Sequence, residues 1–360
     1  MRRALLLVTG LLLAGASTLV AQVEDTDREA ELRADSLSPR ALTDLAVLLA
    51  DDERFVAADS AVRRALEVDP QYARAHLIAG FLPFAMDEDL GKDYRKGKLE
   101  PGRQALVDSA LHQIRLAYLI DPFVAVDRIN RVFVWQGSLE PMTARERERA
   151  PLWFLYWRGI RLAQSKRYVE SATEFEDLLG RLQAVGDSFP DDVFLPLVSN
   201  DIRYLLAIVH RSNGKTHLAT PLLEEVATLD MGHYMAHVRL ADIHEKRGAY
   251  HNAVRERRLA MEANPDNDVL LYEYGVALAQ DGDLPAADSV LTLARERNPL
   301  NARYPHMLGK VRQARERNDE AIAAFEQFLA MPNSTMKAEQ EEARAALLKL
   351  RPPPTVVAEE

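Results

Sequence analysis

Residues Asp268 to Pro299, DVLLYEYGVALAQDGDLPAADSVLTLARERNP, decide the fold. With Asp268 counted as place one, Leu271, Tyr274 and Leu278 fall at places four, seven and eleven, one side of a 3.6-period helix, and Gly275 sits among them at place eight. Gly282-Asp283 supplies turn chemistry, and Pro285 is tolerated just beyond it because the N–H groups of a first helical turn are unpaired in any case. A second helix then carries Ala287, Leu291 and Ala294 at places twenty, twenty-four and twenty-seven, and Asn298-Pro299 ends it. Short side chains at places eight, twenty and twenty-seven let the two helices cross closely while larger apolar residues fill the space beside the crossing. One such hairpin cannot bury its own apolar face, so neighbours have to stack on it.

The chain supplies those neighbours. Stepping back by 34 from Asp268 places His237, Leu240, Ala241, His244, Ala253, Ala260 and Pro265 at the matching positions. A further step back gives Leu206-Ala207, Ala219, Leu223 and Val226, with Met231 where the proline would stand; a step forward gives Leu308-Gly309, Ala321 and Phe325. Residues 39–70 form another full unit, with Leu42, Leu45-Ala46, Leu49, Ala58, Val62 and Ala65. A unit opening at Ala73, with Gly80 at place eight, has its closing helix (Ala110, Ile114, Ala117) 18 residues late. The unit opening at Leu152 carries Gly159, Tyr168, Ser171 and Phe175 and then runs 14 residues long.

This pattern resembles the tetratricopeptide (TPR) repeat, whose W-x2-L-G-x2-Y…A-x3-F…P signature is met mainly at its small and apolar places. The resemblance covers most of residues 39–332, closely from 200 onward and loosely between 83 and 151. It implies an all-α, right-handed α-solenoid of about seven helical hairpins: repeats with insertions over 39–151, regular repeats over 152–332 and a capping helix over 333–350 on which Met336, Ala343, Leu347 and Leu350 share one side. The polar stretch 23–38 reads as a linker, Asp87 to Arg103 as a charged inserted loop, and 351–360 (RPPPTVVAEE) as a disordered tail.

Residues 1–22 have the three parts of a secretory signal: Arg2-Arg3, an apolar run from Ala4, and small residues at Ala14-Gly15-Ala16 or Val20-Ala21 for cleavage. The expectation is an exported chain, periplasmic or extracellular, touching a membrane only if that segment stays uncleaved. With no cysteine in 360 residues, its stability has to come from stacking and not from disulfides. A net charge of −10 and the lack of a basic stripe exclude a nucleic-acid partner, whose phosphates would be repelled.

Enzyme signatures are missing. Gly91 to Leu99 (GKDYRKGKL) has the wrong glycine spacing for a phosphate loop and ends in Leu where a hydroxyl is needed, and His244-Glu245-Lys246-Arg247-Gly248 lacks the second His of a zinc-protease helix. No cofactor is expected. Six of nine histidines lie between His210 and His251, and a metal reading would join His233 and His237 with His210 or His244. The plainer reading is that these histidines occupy packing places, because no Asp or Glu accompanies them in ligand-like spacing.

In TPR-like stacks the inner, concave wall is lined by places two, five, nine and twelve of each first helix. Here those places give Trp153, Tyr156 and Ile160; Tyr204 and Ile208; Val238 and Asp242; Tyr272 and Val276; and His306 and Lys310. Apolar and aromatic groups on a charged protein suit a protein or peptide partner. The carboxylate grip known in the family needs Lys and Asn at places five and nine, where this chain has Tyr156 and Ile160 or Tyr204 and Ile208. The reading is therefore a non-catalytic binding scaffold without that grip. Its rivals are a membrane-held component of an envelope assembly and a metal protein using the His210–His251 cluster.

Overall fold

Each 34-residue unit folds as a pair of helices, and the pairs follow one another along the chain. The computed structural model describes residues 29–87, 89–95, 99–121, 124, 139–184, 198–332 and 336–351, apart from the side chains of Lys92, Arg95 and Trp153. The expected signal at 1–22 and the tail beyond Arg351 lie outside them. Hairpin one is α1 (Pro39–Asp51) with α2 (Phe55–Val68). Hairpin two is α3 (Ala73–Met86) with α5 (Pro101–Ile120), and the short α4 (Leu90–Arg95) lies between them. After α6 (Ala144–Arg149) come α7 (Leu152–Gln164) with α8 (Tyr168–Ala184), α9 (Ser199–Ser212) with α10 (Thr216–Leu229), and α11 (Tyr234–Lys246) with α12 (Tyr250–Ala263). The last two hairpins are α13 (Asp268–Asp281) with α14 (Leu284–Arg297) and α15 (Arg303–Ala314) with α16 (Asn318–Ala330), closed by α17 (Lys337–Leu350). The described residues thus form seven hairpins and a cap, an all-α solenoid.

The close crossing is built as the repeat requires. A Cβ added to Gly275 would stand 2.7 Å from Leu291 Cγ, and one on Gly309 would stand 2.6 Å from the Phe325 ring. Place eight therefore receives place twenty-four, and Val62, Ile114, Phe175, Leu223, Leu291 and Phe325 are all buried in that slot. Hairpin five is the exception. Its slot holds Arg257, whose guanidinium is buried and donates to Asp242, Glu245 and Glu273 at 2.9, 3.0 and 2.7 Å. A charge in this slot is tolerated because all three partners converge on it.

Place fifteen turns the chain. Six hairpins carry a left-handed residue there: Gly214, Gly248 and Gly282, but also Glu53, Lys166 and Glu316 with φ of 59°, 61° and 60°. Glycine adopts this conformation freely, whereas a side chain there costs about 1 kcal/mol. The turn is thus set by the stacking of the two helices even where the sequence offers no glycine.

Two parts differ from the sequence expectation. Residues 29–34, read as linker, are helical, and Glu29 accepts hydrogen bonds from Arg33 and from Arg54 at the start of α2. The inserted loop at Asp87 to Arg103 contains α4, whose Leu90 is fully buried in the core of hairpins one and two, while Arg103 ties Asp87 to Asp93. An apolar anchor and a bridging guanidinium give this charged stretch an order its composition hides. At the other end, Ala343 and Leu347 of α17 pack on Phe325 and Phe328, as a cap does.

Candidate partner-binding surface

The inner-wall places divide into a covered part and an open part. Tyr156 and Ile160 of α7 and Tyr204 and Ile208 of α9 are core residues, each at most 2% exposed. The expectation that they face a partner is corrected, and the physical cause is the end of α5. Tyr118 meets Tyr156 and Trp157 edge-on, with ring centroids 6.5 and 6.1 Å apart. The last carbonyls of α5, unpaired within their own helix, are taken up by this wall: Tyr204 Oη donates to Leu119 O at 2.7 Å, and Arg239 of α11 donates to Ile120 O. The Trp153 side chain lies outside the described residues.

Beneath this contact, Arg115 of α5 donates two hydrogen bonds of 2.9 Å to Asp201 at the start of α9. The Asp201 side chain is fully buried, also accepts from the Val198 amide at 3.0 Å, and has His233 Nε2 3.4 Å away. Burial alone would raise this carboxyl, but His233, Arg115 and the Val198 amide together hold it below the ordinary aspartate value. Asp201 is therefore a charged joint between hairpin two and hairpins four and five. The sequence reading passed over Asp201, Arg115 and Arg239; nothing in a 34-residue register announces a partner 86 positions away.

Two further places are also lost to packing. Val238 is 4% exposed, and His306 is 8% exposed between Phe325 and Phe328, with Glu342 of α17 3.1 Å from its Nε2. Both stand at place five, as Tyr272 does on α13, so the same place is packed away on α11 and α15 and partly open on α13.

The rest of the wall stays accessible. Asp242, Tyr272 and Val276 are partly exposed and Lys310 is exposed. The Arg303 guanidinium lies over the Tyr272 ring at 5.1 Å, which leaves a cation on the rim of an aromatic face. Asp242 is shared by Arg211, Arg239 and Arg257, and burial pushes the Glu273 carboxyl up although Arg257 works against it. This wall can therefore offer a ring, an aliphatic patch and charges of both signs to a polypeptide. Arg257 could have been found from the sequence, because it alone breaks the apolar pattern at place twenty-four.

The histidines disperse. His237 Nδ1 pairs with Glu256 at 2.8 Å, His251 with Asp281 at 3.4 Å, and His210 lies 3.9 Å from Glu176. Among the described residues no group of three or more His, Asp or Glu side chains is arranged to hold a metal ion. Nor is any helix among them long and apolar enough to cross a membrane.

No protein-family model and no curated protein matches the sequence. Solved structures are similar in outline. A double mutant of MamA from strain RS-1 is 16% identical over 52% of this chain and 97% of its own, with a TM-score of 0.43. Yeast Tom70 is 12% identical over 87% of this chain and 89% of its own, with a TM-score of 0.44. A putative kinesin light chain from Podosopora anserina with nearly identical TPR-like repeats is 19% identical over 54% of this chain and 97% of its own, with a TM-score of 0.40. The fold assignment rests on the seven hairpins themselves, which make this chain a TPR-like α-solenoid.

Proposed function

We propose that the chain is an exported, non-catalytic scaffold that holds a protein or peptide segment along the inner wall of α11, α13 and α15. The observation that carries this reading is the contrast within that wall: Tyr272, Val276, Asp242 and Lys310 keep accessible surface while the equivalent places on α7 and α9 are filled by the chain itself. An extended segment or a helix would lay apolar side chains on Tyr272 and Val276 and meet charges of Asp242, Arg303 and Lys310 at the margin. Export rests on residues 1–22, and a mature chain beginning near Gln22 or Val23 after fractionation is the result expected. A membrane-retained chain starting at Met1 would favour the envelope-anchored assembly component instead.

The test is crosslinking capture from the native envelope with the mature protein and with a Tyr272→Ala, Val276→Ala double variant. The variant is expected to keep its helical circular dichroism and to lose a partner that the parent protein captures. Undiminished capture by the variant would place the binding surface elsewhere.

A further inference from the structure

The solenoid touches itself at a second joint, far from the α5 contact in the sequence. Asn298, at the end of α14, donates through its side-chain amide to Glu67 O at 2.9 Å and lies 3.4 Å from Val68 O. Asn301, three residues on, donates to the same Val68 O at 3.4 Å. These acceptors are the last carbonyls of α2, which have no partner within their own helix. Both asparagines are 6% exposed, as is Asp268, which accepts from Asn298 at 3.1 Å and from Tyr304 Oη. Hairpin one is thus joined to hairpins six and seven across some 230 residues of chain.

Like the α5 contact, this joint is made at a helix end and not by paired helices. Successive hairpins other than two and three pack helix along helix, whereas no helix of hairpin one packs lengthwise on α13 to α16 among the described residues. A crevice of about 150 Å³ runs beside it, lined by Leu37, Pro39 and Asp69 on one side and Ala302, Arg303 and Met336 on the other. Contacts of this kind, a few neutral hydrogen bonds beside imperfect packing, belong to the part of a structure that opens without global unfolding.

We propose that Asn298 and Asn301 form a latch that holds hairpin one against the edge of hairpins six and seven and releases it as a unit. Closed, the latch covers Asp268, Asn298, Asn301 and Tyr304. Open, it uncovers them beside the Arg303–Tyr272 pair and so extends the accessible wall of α13 and α15 to its rim. The latch stands on these contacts; its regulatory meaning rests on the inner-wall reading given above.

The experiment needs no partner, so its outcome is independent of the capture result. The chain has no cysteine, so an Arg63→Cys, Glu296→Cys pair takes two spin labels at exposed sites on α2 and α14, and their separation is read by double electron–electron resonance. One narrow distribution is expected in the otherwise unchanged protein. Adding Asn298→Ala and Asn301→Ala is expected to add a population at longer distance. A second pair, Glu262→Cys with Glu296→Cys, reports α12 against α14 and is expected to stay fixed, which separates latch release from unfolding of the regular repeats. A distribution unchanged by the asparagine substitutions, or one already broad before them, would overturn the latch.

Discussion

The wall formed by α7 and α9 and the wall formed by α11, α13 and α15 begin from the same repeat places and end in different states. On the first, aromatic side chains receive the terminal carbonyls and Tyr118 of α5, and become core. On the second, the end of α5 reaches only as far as Arg239 of α11, and Tyr272 and Val276 of α13 keep part of their surface. The lesson is that an inward place in a repeat specifies a direction and not an exposure. Whether it binds a partner or a neighbouring segment depends on what the rest of the chain brings to it.

The covered side should be the more sensitive to substitution. Asp201→Ala removes the partner of Arg115 and the acceptor for the Val198 amide in a fully buried setting, and a loss of about 3–5 kcal/mol in urea unfolding is expected. An equal loss for Asp281→Ala, whose carboxylate pairs with the exposed His251, would erase the distinction. Next in size, Gly275→Leu drives a side chain into Leu291 on the open side, with an expected cost of about 1–3 kcal/mol and a lower Tm. Gly102→Ala, which meets nothing within 4 Å, should stay within about 0.5 kcal/mol of the parent.

Acid sharpens the same contrast. The Asp201 carboxyl titrates lower in the folded chain than in the unfolded one, so the unfolded chain takes up the proton first as pH falls. The stability it contributes is complete above the ordinary aspartate value and is lost as pH drops through the lowered one. Unfolding free energy should therefore fall in that acid range, and Asp201→Asn should flatten this part of the profile. A small effect of opposite sign concerns the turns. Glu316→Gly relieves a left-handed side chain at the place that Gly282 fills one hairpin earlier, and a gain of up to about 1 kcal/mol is expected in thermal unfolding.

The comparison also separates two kinds of buried charge. Arg257 occupies an apolar slot inside one hairpin and is balanced by residues of its own and the adjoining unit. Arg115 and Asp201 join segments 86 positions apart. The first is visible as a break in a periodic pattern, because six other hairpins show what the slot normally holds. The second leaves no local trace.

The repeat register, the hairpins, the close crossing at place eight and the cap over Ala343 and Leu347 were all legible in the sequence. Each depends on neighbours within about one repeat, and periodicity records such neighbours directly. The inner wall was legible only as a set of directions. That Tyr156, Ile160, Tyr204 and Ile208 are packed away and that Asn298 reaches Val68 follow from long-range docking of polar helix ends, which obeys no period. The amino-acid order by itself determined a stack of helical pairs, since spacing of small and large side chains fixes how adjacent helices nest. Tertiary structure alone decided which stretch of that stack remains open, because a helix terminus must find acceptors or donors wherever folding happens to bring it.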